Sequence, residues 1–311
     1  MHGDQPEHEV ARGIRAAVVA YGLWGLLTIY WKALTGFDPF ELIGWRIALA
    51  SVIMAVVVTA RGRWSALLAV RRDRAVLVRL TLAALLLTAN WTTYVWAVVN
   101  GRVIETALGY FFAPLFTMLF GVTILGEHAS RLQRLAIVLA AGAVVVLTVS
   151  YGRPPVVALI LALSWSVYGL LKRQVPLGAI DSLAGETLVL AVPAVVVVAV
   201  TAGATDSIPA TATANDWVLV ALTGVVTAVP LLLFAVAAQR VPFTLLGALQ
   251  YLVPTINLVL GWAVYHEAMP LDRLAGFALV WVALVAVTVD RLRQSQPPRR
   301  AMSTLTPTAG E

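Results

Sequence analysis

Arg46 sits about seven residues into an apolar run at 39–60. A guanidinium at that depth costs ~2.5–3.5 kcal/mol on insertion scales, so intramembrane charge tends to be paired and functional. Lys32, Glu41 and Glu105 are its neighbours along the apolar runs. They suggest an ion pair of Arg46 with Glu105 or Glu41, forming an outer gate or an anion site. The plainer alternative is that Lys32, Glu41 and Glu105 reach the interface from helix ends. Glu186 lies where an internal repeat maps Arg46, and either Glu105 or Glu186 could carry a coupling proton.

A second set of residues is aromatic and amide. Tyr21, Trp24, Thr28 and Trp31 share one helical face. Asn90 and Tyr94 share another, and Trp165 with Tyr168 and Gln250 with Tyr251 follow in later runs. Such residues suit a mostly apolar pocket with a few polar contacts. Trp24, Asn90, Tyr94, Trp165 and Tyr168 are the deeper pocket candidates, while Trp31, Trp64, Trp217 and Trp281 are candidates for an interfacial belt.

Enzymatic chemistry finds little support. Glu267 follows His266, but Ala-Met-Pro comes next, so HExxH is absent. No GxSxG and no phosphate-binding GxxxxGK[ST] occurs, and no Asp lies deep in an apolar run. The chain has no Cys, which excludes disulfides and thiolate metal sites. Neither a metal nor a cofactor is expected, and the energy source would be a gradient.

The elements that must position these residues follow from composition. Of 311 residues, 60% are hydrophobic and 12% charged. A soluble domain has ~45–50% apolar and ~25% charged residues, so a globular enzyme and a disordered chain are both excluded. A bilayer crossing needs ~20 apolar residues. Ten runs meet that measure: 14–34, 39–60, 76–99, 103–125, 132–150, 155–171, 183–202, 217–239, 243–265 and 272–290. Residues 1–13 read as a polar tail and 291–311 as a disordered one. The first run is too long for a signal-peptide core. Ten crossings put both termini on one side. With the N-terminus inside, inner segments hold 17 basic residues and outer segments only Arg102, Arg153 and Arg273. That imbalance predicts N-in and C-in, and explains the net charge of +6 without nucleic acid. Residues 61–75 read as a short amphipathic helix on the inner leaflet.

The two halves match at a near-constant offset. Tyr110, Pro114, Thr117 and Gly121 recur 140 residues later as Gln250, Pro254, Asn257 and Gly261, and Glu127 recurs as Glu267. Trp24 and Lys32 recur as Trp165 and Arg173, shifted by 141. Five runs per half, an odd number, orient the halves oppositely. The expected fold is therefore an all-α integral membrane protein, its repeats being 14–150 and 155–290. Each four-residue series has helical spacing, predicting pore-facing, bending helices that bring Tyr110 and Asn257 to the substrate, with Pro114 and Pro254, and Pro230 in VTAVP, as flexing points.

With these segments in hand, the chain resembles the RarD family of EamA-like permeases, in the drug/metabolite transporter superfamily. The resemblance covers nearly all of 14–290. It rests on YGLWGLLTIYWK at 21–32, ANWTTYVWAV at 89–98, ALGYFFAP at 107–114 and LGE at 125–127. SVYGLLKR at 166–173, VTAVPLLLFAVAAQRVP at 226–242 and LGALQYLVPT at 246–255 complete it. Trp45, before Arg46, departs from the family's pattern, where His is frequent, and no proton role is carried over to it. The resemblance implies ten helices in two inverted halves in the bacterial cytoplasmic membrane, and export of small metabolites or drug-like molecules. The expected partners are a small-molecule substrate and the lipid bilayer, a homodimer being compatible with both. The expected function is secondary transport by alternating access around a site lined by runs 1, 3, 4, 6, 8 and 9. The rival reading is a non-transporting assembly or signalling partner, whose polar residues would face other proteins.

Overall fold

A computed structural model describes residues 4–294, apart from Arg71, Leu125, Glu127, Arg173, Gln239 and 241–248. Helix α1 spans Asp4–Lys32, α2 Pro39–Ala60, α3 Trp64–Val70, α4 Arg74–Val99, α5 Val103–Thr123 and α6 Arg131–Tyr151. Then follow α7 Val156–Lys172, α8 Ala179–Thr201, the single turn α9 Ile208–Thr211, α10 Ala214–Ala238 and α11 Leu252–Val259. A π-helical turn, Leu260–Val264, continues α11, and α12 spans Leu271–Gln294.

Local chemistry sets many of these ends. Asp38 accepts the N–H groups of Phe40 and Glu41 at the start of α2, where Pro39 occupies a position that needs no donor. Asp73 does the same for α4 through Ala75 and Val76. Ser130 and Gln133 form a reciprocal capping box on α6, which stops at Gly152 in the left-handed region, φ 65°.

Eight of the described helices are long and apolar enough to cross a membrane. Two further apolar helices are shorter, Val156–Lys172 and Leu252–Val264. The second is the larger departure from expectation, because a 243–265 crossing was anticipated. Its first residues, like Glu127 of the repeat and the tail at 295–311, lie outside the described residues. At the other terminus, α1 begins at Asp4, within the segment read as a polar tail. The short helix expected in 61–75 is α3.

Outward faces are apolar. Val149, Val192, Val200 and Leu271 are all more than 70% exposed, as a lipid-facing surface requires. Inward faces carry the polar residues. Helix α1 packs on α10 and α11, while α7 packs on α4 and α5. Helix α2 packs on α8 and α10, α4 on α8, and α6 on α12. Small residues permit the closest approaches. A Cβ on Gly224 of α10 would sit 2.9 Å from the backbone carbon of Leu49 in α2.

The three expected flexing points do not behave alike. Pro114 and Pro230 lie inside α5 and α10, and α8 holds a third interior proline, Pro193. Pro254 is in the first turn of α11, where its missing N–H breaks no helical bond, so it does not bend that helix. Gln250 precedes the helix, so the expected face of Gln250, Pro254, Asn257 and Gly261 is not one continuous α-helical stripe.

Candidate functional site: a buried polar centre between helix groups

Helices α1, α4 and α11 meet at Thr28, and α5 joins them through Asn257. Its hydroxyl donates to Asn257 Oδ1 at 2.9 Å and lies 2.8 Å from the Tyr94 hydroxyl. Asn257 Nδ2 reaches Thr106 Oγ1 at 3.5 Å. A second group adjoins this one: Tyr110 donates to Asn90 Oδ1 at 3.2 Å, and Asn90 Nδ2 donates to Leu161 O and Ser164 Oγ, both at 3.0 Å. The Tyr94 and Tyr110 rings stand 5.9 Å apart and join the groups. Thr28, Asn90, Thr106 and Asn257 are each no more than 1% exposed. Buried polar groups in an apolar bundle are stable only when bonded, so these side chains hold one another in register.

Arg46 stands beside this centre, 3% exposed. The expected pairing with Glu105 or Glu41 does not occur. Its Nε–H donates to Thr227 at 2.9 Å, and its guanidinium lies over the rings of Trp91 at 4.2 Å and Trp31 at 5.3 Å. Each desolvated cation–π contact contributes up to ~2 kcal/mol, against ~2.5–3.5 kcal/mol for inserting the charge. Aromatic faces thus offset much of a cost that was expected to fall on a carboxylate. Trp31, expected in the interfacial belt, is fully buried for this reason, whereas Trp64, Trp217 and Trp281 are over a third exposed.

The carboxylates are engaged elsewhere. Glu41 accepts the Ile208 N–H with both oxygens at 3.1 and 3.0 Å. Glu105 accepts from Arg153 at 2.9 Å, and its other oxygen has no partner among the described residues. Both are at least 95% buried, so neither reaches out to an interface. Lys32 lies over the Tyr265 ring at 5.0 Å. Arg102, Glu105, Tyr151, Arg153, Glu267 and Arg273 line a polar cavity of about 280 Å³ at this end of the bundle.

Glu267 closes one side of that cavity. Its carboxylate accepts the Val103 and Ile104 N–H groups at 2.7 and 2.8 Å, capping α5. Burial nevertheless lifts its carboxyl above the ordinary carboxylate value, against those two donors and Lys32. A raised folded-state pKa makes Glu267 most favourable to folding below its ordinary value, and that contribution is lost as pH rises through the shifted one. Melting curves of wild type and Glu267→Gln from about pH 4 to 7 should therefore differ in slope, the wild type losing relative stability as pH rises. Parallel curves would refute this.

At the opposite end Glu186, fully buried, accepts from Lys172, from Tyr168 at 3.1 Å and from Ser182 at 3.0 Å. Arg63 pairs with Asp181, and Arg240 with Glu9 at 2.8 Å.

Of the residues expected to line a pocket, the structure brings together Asn90, Tyr94, Tyr110 and Asn257. Trp24 instead packs between Tyr21 and Phe234, with ring centroids 5.6 and 5.7 Å away. Trp165 stacks near Tyr168, which serves Glu186. Gln250 and Tyr251 are half-buried, and Tyr251 packs against the α6–α12 core. Thr106, Ser164 and Thr227 were not singled out. A hydroxyl in an apolar helix has a ready partner in its own i−4 carbonyl, so its presence signals nothing by itself.

Comparison with known proteins places this arrangement. The chain is 39% identical over 302 residues to Protein RarD of Streptomyces exfoliatus, covering 97% of this chain and 96% of that one. It is 35% identical to the uncharacterized transporter YojE of Bacillus subtilis (strain 168), over 92% and 96% of the two chains. Protein RarD of Escherichia coli (strain K12) is 32% identical over 91% and 96%. A solved crystal structure shares the fold with a TM-score of 0.59 at 20% identity, over 90% of this chain and 98% of that chain. The EamA-like transporter family matches residues 11–149 and again 154–289. A multi-span chain with a buried polar centre, aligned along nearly its whole length with such relatives, belongs to the EamA-like transporter family.

Proposed function

We propose that the protein is a secondary transporter that exports small metabolites or drug-like molecules by alternating access between two inverted five-helix halves. The observation that carries this reading is the polar centre formed by Thr28, Tyr94, Thr106 and Asn257, because Asn257 of the second half bonds both Thr28 and Thr106 of the first. Two further features support it. One family description matches each half separately. The most extensive packing pairs are also unchanged when the halves are exchanged: α1 with α10 and α11 becomes α7 with α4 and α5, and α2–α8 and α6–α12 map onto themselves. Rocking about such pairs would open each end in turn.

In this reading both termini face the cytoplasm, which puts the Glu105–Arg153 cavity outside and the Glu186–Lys172 cluster inside. Pro114 and Pro230, interior to α5 and α10, supply bending. Glu105 is the better proton carrier of the two carboxylates, since Glu186 is bonded by three donors while one Glu105 oxygen has no partner among the described residues.

The absence of native Cys makes the test direct. Cysteines placed at 90 and 94 should react with a water-soluble thiol reagent in membranes, and Asn90→Leu should cut counterflow of labelled metabolites in proteoliposomes by about 10-fold or more. An imposed pH gradient should drive accumulation of labelled substrate in proteoliposomes, and Glu105→Gln should abolish that drive. An assembly partner without a solute path predicts unreactive cysteines and no flux for any solute screened.

A further inference from the structure

We propose that Arg46 is the subsite for the carboxylate of a small organic monoanion with an apolar body, an assignment of substrate class that rests on the transporter reading above. A guanidinium carries five N–H donors. Among the described residues Arg46 uses only the one on Nε, to Thr227, and meets no carboxylate. The titratable side chains that face it are Tyr30, Tyr94 and Tyr110, all neutral phenols at physiological pH. Their hydroxyls are already engaged with the Leu219 carbonyl, Thr28 and Asn90.

Trp31 and Trp91 meet the guanidinium by cation–π contact, which consumes no N–H, and among the described residues its Nη donors have no hydrogen-bond partner. A second donor is unspent on one of these rings: the Trp31 indole Nε1 is buried without a hydrogen-bond partner among the described residues. Surplus donors of this kind call for a group that only accepts, and the two Nη edges match a carboxylate's two oxygens. One cation compensates one negative charge, so a phosphate dianion would bring an unpaired charge into apolar surroundings. The faces of Trp31, Trp91 and Tyr94 are suited to a hydrocarbon or aromatic body.

The test titrates purified full-length protein with phenylacetate, phenylacetamide and phenethylamine at neutral pH, reading intrinsic tryptophan fluorescence. Phenylacetate should bind, and the amide and amine should bind at least about 10-fold more weakly. Arg46→Gln, which removes a buried charge and so does not hinder insertion, should weaken the acid by about 10- to 100-fold and abolish the discrimination between acid and amide. Arg46→Lys should keep a reduced preference for the acid. Equal binding of amide and acid, an unchanged preference in Arg46→Gln, or no binding by any of the three would overturn the assignment. Proteoliposome flux separates it from the transport reading. Flux of uncharged solutes without acid binding removes the carboxylate subsite alone, and Arg46-dependent acid binding with no flux removes the transporter reading alone.

Discussion

Gly109→Leu should leave little or no folded protein. Gly109 lies on α5 where that helix crosses α7. A Cβ there would sit 2.8 Å from Leu161 Cβ and 3.0 and 3.1 Å from the carbonyl oxygen and Cα of Ala158. Two of those three atoms are backbone, so a rotamer change cannot relieve the contact and α5 must move away from α7. Inserting methylenes into a packed core costs ~1–3 kcal/mol, and a whole leucine side chain against backbone stands above that range. The displacement also acts on the polar centre, because the next residue is Tyr110, which donates to Asn90, and Asn90 bonds the Leu161 carbonyl on the same crossing. Gly142→Leu is the control: nothing lies within 4 Å of a Cβ at that position of α6. The measurement is the yield of monodisperse protein in detergent and its melting temperature. Equal yield and equal melting temperature for Gly109→Leu and Gly142→Leu would refute this steric account.

The second large effect concerns Glu186. Glu186→Ala removes the only carboxylate that Lys172 meets among the described residues, and with it the acceptor for Tyr168 and Ser182. Breaking a buried pair from one side costs ~3–5 kcal/mol, because the remaining charge stays buried. Here the Lys172 side chain is 26% exposed and stands at the end of α7, so part of that charge can reach polar surroundings. The expected loss is therefore nearer ~2–3 kcal/mol. Lys172→Met in the Glu186→Ala background should recover most of it, since the stranded charge is gone and the hydrocarbon stem is kept. A double-mutant cycle on denaturation midpoints measures the coupling. Additive losses, with no recovery in the double variant, would show that the pair is not what makes Glu186 necessary.

The same contrast between local and long-range causes decides what could be read from the chain. Helix existence was legible because hydropathy is a sum over neighbouring residues, and a run of about 20 apolar residues has few other fates. Most ends fell within a few residues of the limits of the apolar runs, while the side chains that make the caps, Asp38, Asp73 and the Ser130–Gln133 box, emerged only in the fold. The amphipathic segment α3 followed from the same local logic. Asn90, Tyr94, Tyr110 and Asn257 could be picked out because amide and phenol groups are rare and costly in an apolar helix.

Sequence by itself therefore determined that this is a bundle of apolar helices, where most of them begin and end, and which amides and phenols must be buried with partners. Tertiary structure alone decided who those partners are. Thr28 meets Asn257 across 229 positions and Arg46 meets Thr227 across 181. Such a pairing depends on how each helix is rotated about its axis and how closely glycines let it approach, neither of which a local sum contains. Charge attraction made Glu105 and Glu41 the natural partners for Arg46. In the fold those carboxylates meet Arg153 and the start of α9 instead, and two indole rings hold the guanidinium, whose remaining donors meet no partner among the described residues.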